Sequence, residues 1–374
     1  MSLLICADIV PTESNYRLFA EGKAEELVGA ELFKMLSEAD MVVMNLEVPL
    51  TDTPCPIKKA GPHLIAPTES INAFKALNVD VLSIANNHIM DQGEFGLFST
   101  LKLLDDNEIL HVGAGKTPKE AKKPLIINWN DLRVGIYSCA EHEFSISSNG
   151  GAGANPFEPL DSLGHISELK KQSDYVIVLY HGGREQYRYP TPLLQKRCRR
   201  MVDVGANLVV CQHSHCVGCE EKYNDATIVY GQGNFLFDRV DNEYWNTGLV
   251  VSLQNDLSVT YIPIKKCDNK VLLANGEVGE MIISDFNARS KEILSDCFIN
   301  EKFVSLAKSS FKNQRMRLFG KVGFTFRLIN KITRGRFADW YLNRKYTEES
   351  LLGIRNMIEC EAHRELVLKS LERF

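Results

Sequence analysis

The chain has 374 residues, of which 44% are hydrophobic and 24% charged, and a net charge of −5. That is the composition of a soluble globular protein, long enough for one large domain with an appendage or for two domains. Ten cysteines without a regular framework suit reduced thiols better than a disulfide scaffold, and no apolar run reaches the ~18 residues of a membrane span. The first residues, "MSLLICADIVPT", lack a basic leader and a small-residue cleavage site, so the expected location is cytoplasmic.

In chain order, β-branched and apolar runs predict strands at 3–7, 41–45, 79–85, 124–128, 133–138, 174–181 and 206–212, then at 227–231, 247–253 and 257–264. Amphipathic segments such as "SINAFKALN", "GLFSTLKLLDDN" and "TPLLQKRCRRMVDVG" lie between the earlier strands. This alternation predicts an α/β fold with largely parallel pairing, followed by antiparallel meanders where the later strands crowd together. "SSNGGAGANP" (147–156) reads as a flexible loop near a site; it lacks the Lys-Ser/Thr ending of a phosphate-binding loop. From about residue 285 the texture becomes helical. Residues 302–345 carry twelve Lys/Arg and a single acid, Asp339. The expected division is therefore 1–284 and a basic helical appendage, 285–374.

Placed on those strands, the unusual polar residues fall at carboxyl ends. Asp8 follows the first strand, Asn45 and Glu47 the second, and Asn86, Asn87 and His88 the third. His181 ends the strand at 174–181, and His213 and His215 follow the strand at 206–212. Ligands of α/β sheets bind at this edge, because the loops there share one crevice. Helix capping accounts for one or two of Asn86, Asn87 and Asp91, but not for His88. A lone histidine is usually a satisfied core residue; five distant segments delivering such side chains to one edge are not explained that way. Two carboxylates, an amide oxygen and three imidazoles suit Mn, Fe or Zn better than Ca or Mg, and suffice for two divalent ions sharing a carboxylate. Such centres polarise a phosphoryl or carbonyl oxygen and activate water.

The order Asp8, "NLE" (45–47), "NNH" (86–88), His181 and "HSH" (213–215) resembles the calcineurin-like metallophosphoesterase superfamily. Within it, "NLEVPLTD", "ANNHIMDQG", "HGGREQYRYPTP", "GANLVVCQHSHCVGCEE" and "VYGQGNFLFD" resemble the capsule-biosynthesis family typified by the poly-γ-glutamate protein CapA. The resemblance spans roughly Leu3 to Asp238 and leaves the appendage uncovered. It implies a four-layer α/β/β/α sandwich of two mixed sheets around a two-metal site. It further implies that Asp8 and His215 bind one ion, that Glu47 bridges, and that Asn87, His181 and His213 bind the other. His88 would approach the leaving group as an acid, with Asp91 orienting it. Two departures stand out: Val10 replaces the histidine of the superfamily's first motif, and Glu47 replaces its bridging Asp. Asn15 or water is the expected substitute for the missing imidazole.

Around this set, Asn45, Lys59, Arg184, Glu185 and Asn234 are candidates for supporting or substrate-contacting roles. Glu185 is read as the partner of a ligand histidine or of Arg184 or Arg188. Lys59 and Arg184 are read as contacts to an anionic substrate or as solvated surface. Asn234 is read as a backbone-positioning residue, or as turn support. "CVGC" (216–219) sits in a strand-like stretch rather than opening a helix and has no second pair, so it is not taken as a redox or zinc motif.

The function expected from the resemblance is a two-metal hydrolase of phosphoesters or of a γ-linked amide polymer in capsule, poly-γ-glutamate or exopolysaccharide biosynthesis. The alternative is a non-catalytic factor that binds or assembles an anionic polymer and keeps the site. For the appendage, three readings stand: a stripe packed on the sandwich, a peripheral contact with an anionic membrane, or a collector of acidic polymer. No nucleic-acid module is present in it, and no specific nucleic-acid partner is expected.

Overall fold

The computed structural model describes residues 2–147, 150–320 and 322–371; parts of the Gly-rich loop (148, 149) and of the predicted appendage helices (321, 372–374) lie outside the described residues. Two compact units separate at Ile299/Asn300. The strands are β1 (Ser2–Val10), β2 (Met41–Leu46), β3 (Val81–Ser83), β4 (Leu110–Val112), β5 (Ala114–Gly115), β6 (Leu125–Trp129), β7 (Leu132–Ala140) and β8 (Gly153–Ala154). They continue as β9 (Tyr175–His181), β10 (Leu208–Gln212), β11 (Glu220–Tyr223), β12 (Ala226–Tyr230), β13 (Asn234–Phe237), β14 (Thr247–Gln254), β15 (Val259–Cys267) and β16 (Lys270–Leu273).

One sheet runs β16-β15-β14-β1-β2-β3-β4, with β13 also paired to β1. Its β1 to β4 half is parallel, and β14 to β16 form an antiparallel meander. The other sheet runs β11-β12-β10-β9-β7-β6, parallel in the middle and antiparallel at both edges.

Strand alternation builds the layers. Leu3, Ile5, Val43 and Val81 of the first sheet meet Ile136, Ile177, Leu179 and Val210 of the second in one core between the sheets. The alternate residues Leu4, Cys6, Val42 and Met44 face outward onto Leu32, Leu36, Phe74, Leu97 and Leu104, the buried stripes of three helices. On the far side, Tyr137, Val178, Tyr180 and Val209 pack on Ile166, Leu169, Cys198 and Met201. Three cores between four layers make the α/β/β/α sandwich. The helix Pro192–Asp203 shows how the sequence sets these elements. Thr191 accepts a bond from the Leu194 N–H at the N-cap, Pro192 fills the first turn, and Leu194, Cys198, Met201 and Val202 form its buried face.

The expected boundary after residue 284 falls inside the helix Gly276–Glu292, and the first unit extends to Ile299. Ile282 and Phe286 of that helix belong to the core between the sheets, so its apolar face commits it to the sandwich. The described residues at the ends of the Gly-rich loop are also more fixed than expected. The Ala154 N–H donates to Ser145 O, the Ser147 N–H donates to Ala154 O, and the Asn155 N–H donates to Gly113 O. Gly153 has φ +151°, and a Cβ there would meet Ser145 O at 2.6 Å, so this approach requires glycine.

The second unit consists of short helices: Phe298–Phe319 enters it, and Phe324–Ile332, Arg336–Lys345, Glu348–Glu359 and Glu361–Leu371 follow. Breaks fall at Gly320 and Gly335, both at positive φ (84° and 88°), which a glycine adopts without the penalty of a Cβ.

Candidate functional site

Carboxyl ends of β1, β2, β7, β9 and β10, with the turn after β3, converge on one buried cluster. A register shift on each side of Asp8 turns this residue out of regular pairing, opposite Asn45 and Asn234. Asn45 Nδ2 donates to Asp8 Oδ1 at 2.7 Å and lies 3.3 Å from His181 Nδ1. His181 Nε2 is 3.1 Å from Asn87 Oδ1, 3.1 Å from His213 Nδ1 and 3.4 Å from Glu47 Oε1. Asp8 Oδ2 accepts the His213 N–H at 3.1 Å and lies 3.6 Å from His215 Nδ1. The structure thus brings together Asp8, Glu47, Asn87, His181, His213 and His215. Ligand atoms of Glu47, His213 and His215 all lie within 4.8 Å of one another.

His213 (φ 82°) and His215 (φ 51°) both hold left-handed backbone, uncommon for a side chain of this size and concentrated at functional sites in proteins. His215 stacks on Trp245 with centroids 4.4 Å apart. Its Nδ1 bonds Asn234 Oδ1 at 2.8 Å; an amide oxygen only accepts, so Nδ1 carries the proton and Nε2 keeps its lone pair. Asn234 therefore does more than support a turn: it fixes the tautomer of a candidate ligand.

The turn after β3 carries a second constellation. Asn86 Oδ1 accepts the N–H groups of His88 and Ile89, which shapes the turn, and Ser145 Oγ braces it by donating to Asn87 O at 2.8 Å. His88 Nδ1 meets Asp91 Oδ2 at 2.6 Å. Asp91 also takes the Leu64 N–H at 2.6 Å and the ammonium of Lys59. Lys59 is thus neither solvated surface nor a free substrate contact. Its ammonium is buried and committed to Asp91, 3.3 Å from His88 Nδ1.

Two further expectations change, those for Asn15 and Glu185. Asn15 is buried, but its amide is consumed by Thr12 N and Asn269 O, so it does not replace the imidazole absent at Val10, which itself lies in the outer core. Glu185 is exposed and, among the described residues, bonds neither a histidine nor an arginine; it lines the cavity beside the cluster. Arg184 is exposed, as solvated surface would be. Cys216 and Cys219 are buried free thiols whose pKa values burial raises, to about 11 for Cys216, which fits an inert structural pair.

Glu141, at the end of β7, escaped the sequence reading. Its Oε1 lies 3.7 Å from His213 Nε2 and its Oε2 accepts the Gly183 N–H at 3.2 Å. The adjoining cavity, about 320 Å³, is walled by Lys59, His88, Phe144, Glu185, His215, Arg239 and Trp245 among others.

Electrostatically the cluster is costly. Burial, then the charge of Asp8's neighbour Glu47, pushes the Asp8 carboxyl up to about 7; burial pushes Glu47 up to about 8. Burial lowers His181 and His213 and takes His215 down to about 3, leaving neutral imidazoles. Both Glu47 oxygens are buried and, among the described residues, have no hydrogen-bond partner. A pH signature follows. An acid with a raised folded-state pKa binds its proton more tightly in the folded chain, so stability falls as pH rises from the unfolded value to the folded one. Histidines with lowered folded values act oppositely, mostly below their unfolded value of 6.5 and weakly just above it. Between pH 6.5 and 8 the carboxylates outweigh this residual histidine contribution, and the metal-free protein is expected to lose on the order of 1 kcal/mol. Urea unfolding after chelation at both pH values measures this; equal stability would contradict it.

Fold and site together define a class first: a four-layer sandwich that gathers nitrogen and oxygen donors at the carboxyl ends of its strands. The chain belongs to the family described as bacterial capsule synthesis protein PGA_cap, whose model matches residues 2–239. It is 32% identical over 213 residues to capsule biosynthesis protein CapA of Bacillus anthracis, covering 54% of this chain and 52% of that protein. To PGA biosynthesis protein CapA of Bacillus subtilis it is 33% identical over 207 residues, 54% of each. The chain thus spans about half the length of these relatives. Among solved structures, a phosphatase of Mycoplasma pneumoniae aligns with a TM-score of 0.45 and 12% identity, over 72% of this chain and 95% of that one.

Proposed function

We propose that the protein is a dinuclear metal-dependent hydrolase of phosphoester or γ-linked amide bonds, serving capsule, poly-γ-glutamate or exopolysaccharide biosynthesis. The observation that carries this reading is Glu47. A carboxylate held fully buried beside a second carboxylate and three neutral imidazoles, with no N–H donor on either oxygen among the described residues, is a poor arrangement for a folded chain and a good one for divalent cations. The donor set fits Mn, Fe or Zn. Asp8 and His215 would hold one ion, Asn87, His181 and His213 the other, and Glu47 would be shared.

Bound there, two divalent ions would supply Lewis acidity toward a phosphoryl or carbonyl oxygen and activate water. The chain's own residues do the rest. His88, held through Nδ1–H on Asp91, would in its imidazolium form present Nε2–H as the proton donor to a leaving oxygen or nitrogen and return to the neutral Nδ1–H imidazole, and it borders the cavity that would receive the scissile group. Lys59 and the Leu64 N–H hold Asp91 in place. Glu141, with Oε1 3.7 Å from His213 Nε2, is placed to act on that imidazole through its charge, as carboxylates commonly do for ligating imidazoles. Glu141→Gln is expected to weaken divalent-ion affinity ~10-fold or more, measured by calorimetric titration with Mn²⁺; unchanged affinity would remove Glu141 from the site. Ten free cysteines support a reducing, cytoplasmic setting.

Val10 favours a second reading, a polymer-binding or assembly factor that keeps metal without turnover, because β1 supplies no imidazole to the first ion. The two separate in a screen of phosphomonoesters, phosphodiesters and γ-glutamyl peptides with Mn²⁺-, Fe²⁺- or Zn²⁺-loaded protein. Metal-dependent turnover that needs His88 supports the hydrolase. Tight metal with no turnover supports the binding factor.

A further inference from the structure

The helix Phe324–Ile332 buries none of its residues. Its inner side is nonetheless committed: the Phe326 ring packs edge-on to Phe337 and Tyr341, and Asn330 Oδ1 accepts the Ala338 N–H, which fixes the helix against Arg336–Lys345. That contact sets which side faces out. Phe324, Leu328 and Ile332, spaced i, i+4 and i+8, form one ridge, exposed by 79%, 45% and 72%. Arg327 and Lys331 lie one turn apart along the same side, both exposed. Arg334 and Arg336 follow at once. The single acid of residues 302–345, Asp339, is paired with Lys312 at 2.6 Å, so no unpaired acid of this stretch offsets the edge.

We propose that this face docks on an anionic lipid surface, with Phe324, Leu328 and Ile332 entering the headgroup–acyl boundary and Arg327 and Lys331 contacting lipid phosphates. Two features select this occupant. The cations demand an anionic partner, and the apolar ridge demands one with apolar depth behind its charge. A carboxylate polymer satisfies only the first. A membrane surface satisfies both, as for other basic amphipathic helices. Among the described residues no helix is long and apolar enough to cross a membrane, so the contact is peripheral. The proposal does not depend on the catalytic reading.

The test is flotation of the full chain with vesicles of phosphatidylcholine alone and of phosphatidylcholine mixed with phosphatidylglycerol. Binding is expected only to the anionic vesicles, weakened by salt. Arg327→Gln with Lys331→Gln should weaken it roughly 30-fold. Phe324→Ser, Leu328→Ser and Ile332→Ser together should abolish it; these positions are exposed, and circular dichroism checks that the helices survive. No binding at low salt overturns the proposal. So does binding that the apolar triple variant retains, and in that case equal retention on soluble poly-γ-glutamate would reassign the face to anionic polymers.

Discussion

Replacing His88 with Asn is expected to lower hydrolysis ~10²-fold or more while leaving bound metal nearly unchanged. His88 sits one residue from Asn87, yet its Nδ1 is committed to Asp91 at 2.6 Å rather than turned to the imidazole cluster. In the proposed reading it borders the adjoining cavity and acts on a proton rather than on an ion. General acid catalysis typically contributes 10²–10⁴-fold, which sets the size of the loss, and the loss should be largest for substrates with poor leaving groups. Parallel assays of turnover and metal content on the same preparation make the outcome decisive. Loss of metal would make His88 a ligand and overturn its role; unchanged turnover would favour the binding factor.

Glu47→Gln should have an effect at least as large and of a different kind. An amide cannot be shared between two cations as a carboxylate can, so metal affinity should fall by more than the ~10–100-fold typical of an outer-shell change, and turnover with it. The unfolding profile provides an independent readout. Gln does not titrate, so the variant should lose most of the fall in stability that Glu47 imposes between pH 6.5 and 8. A buried, unpartnered carboxylate is destabilising to the metal-free chain; its retention makes sense if a cation resolves it. Should the variant bind metal like the parent and keep the same pH dependence, Glu47 is not central to the site.

Much of this was legible in the residues. Long apolar runs such as "YVIVLYH" and "NLVVCQ" announced their strands because burial on both faces leaves a continuous hydrophobic signal. The polar residues closing those runs could then be assigned to one edge. Short elements left too little period to read. β13 has four residues and β11 reads "EEKY", and each exists through its partner, β1 or β12. For the same reason Asn234 looked like a turn residue: its role depends on a bond to His215, nineteen positions away. Lys59 lies in an irregular segment, thirty-two residues from Asp91, and no local pattern distinguishes a buried lysine there from a solvated one. Glu141 sits among "AEHEF", which reads as exposed acid until β7 is seen to end beside His181. The helix Gly276–Glu292 carries a weak apolar stripe, and only its packing shows that it belongs with the sheets.

The central claim is that the buried cluster is a centre for two divalent ions. Elemental analysis of the full chain, purified without chelator, equilibrated with Mn²⁺ and desalted, tests it most directly. Two ions per chain are expected, retained by His88→Asn and lost by Glu47→Gln. A protein that holds no divalent ion under these conditions, or holds as much after Glu47→Gln as before, would contradict it.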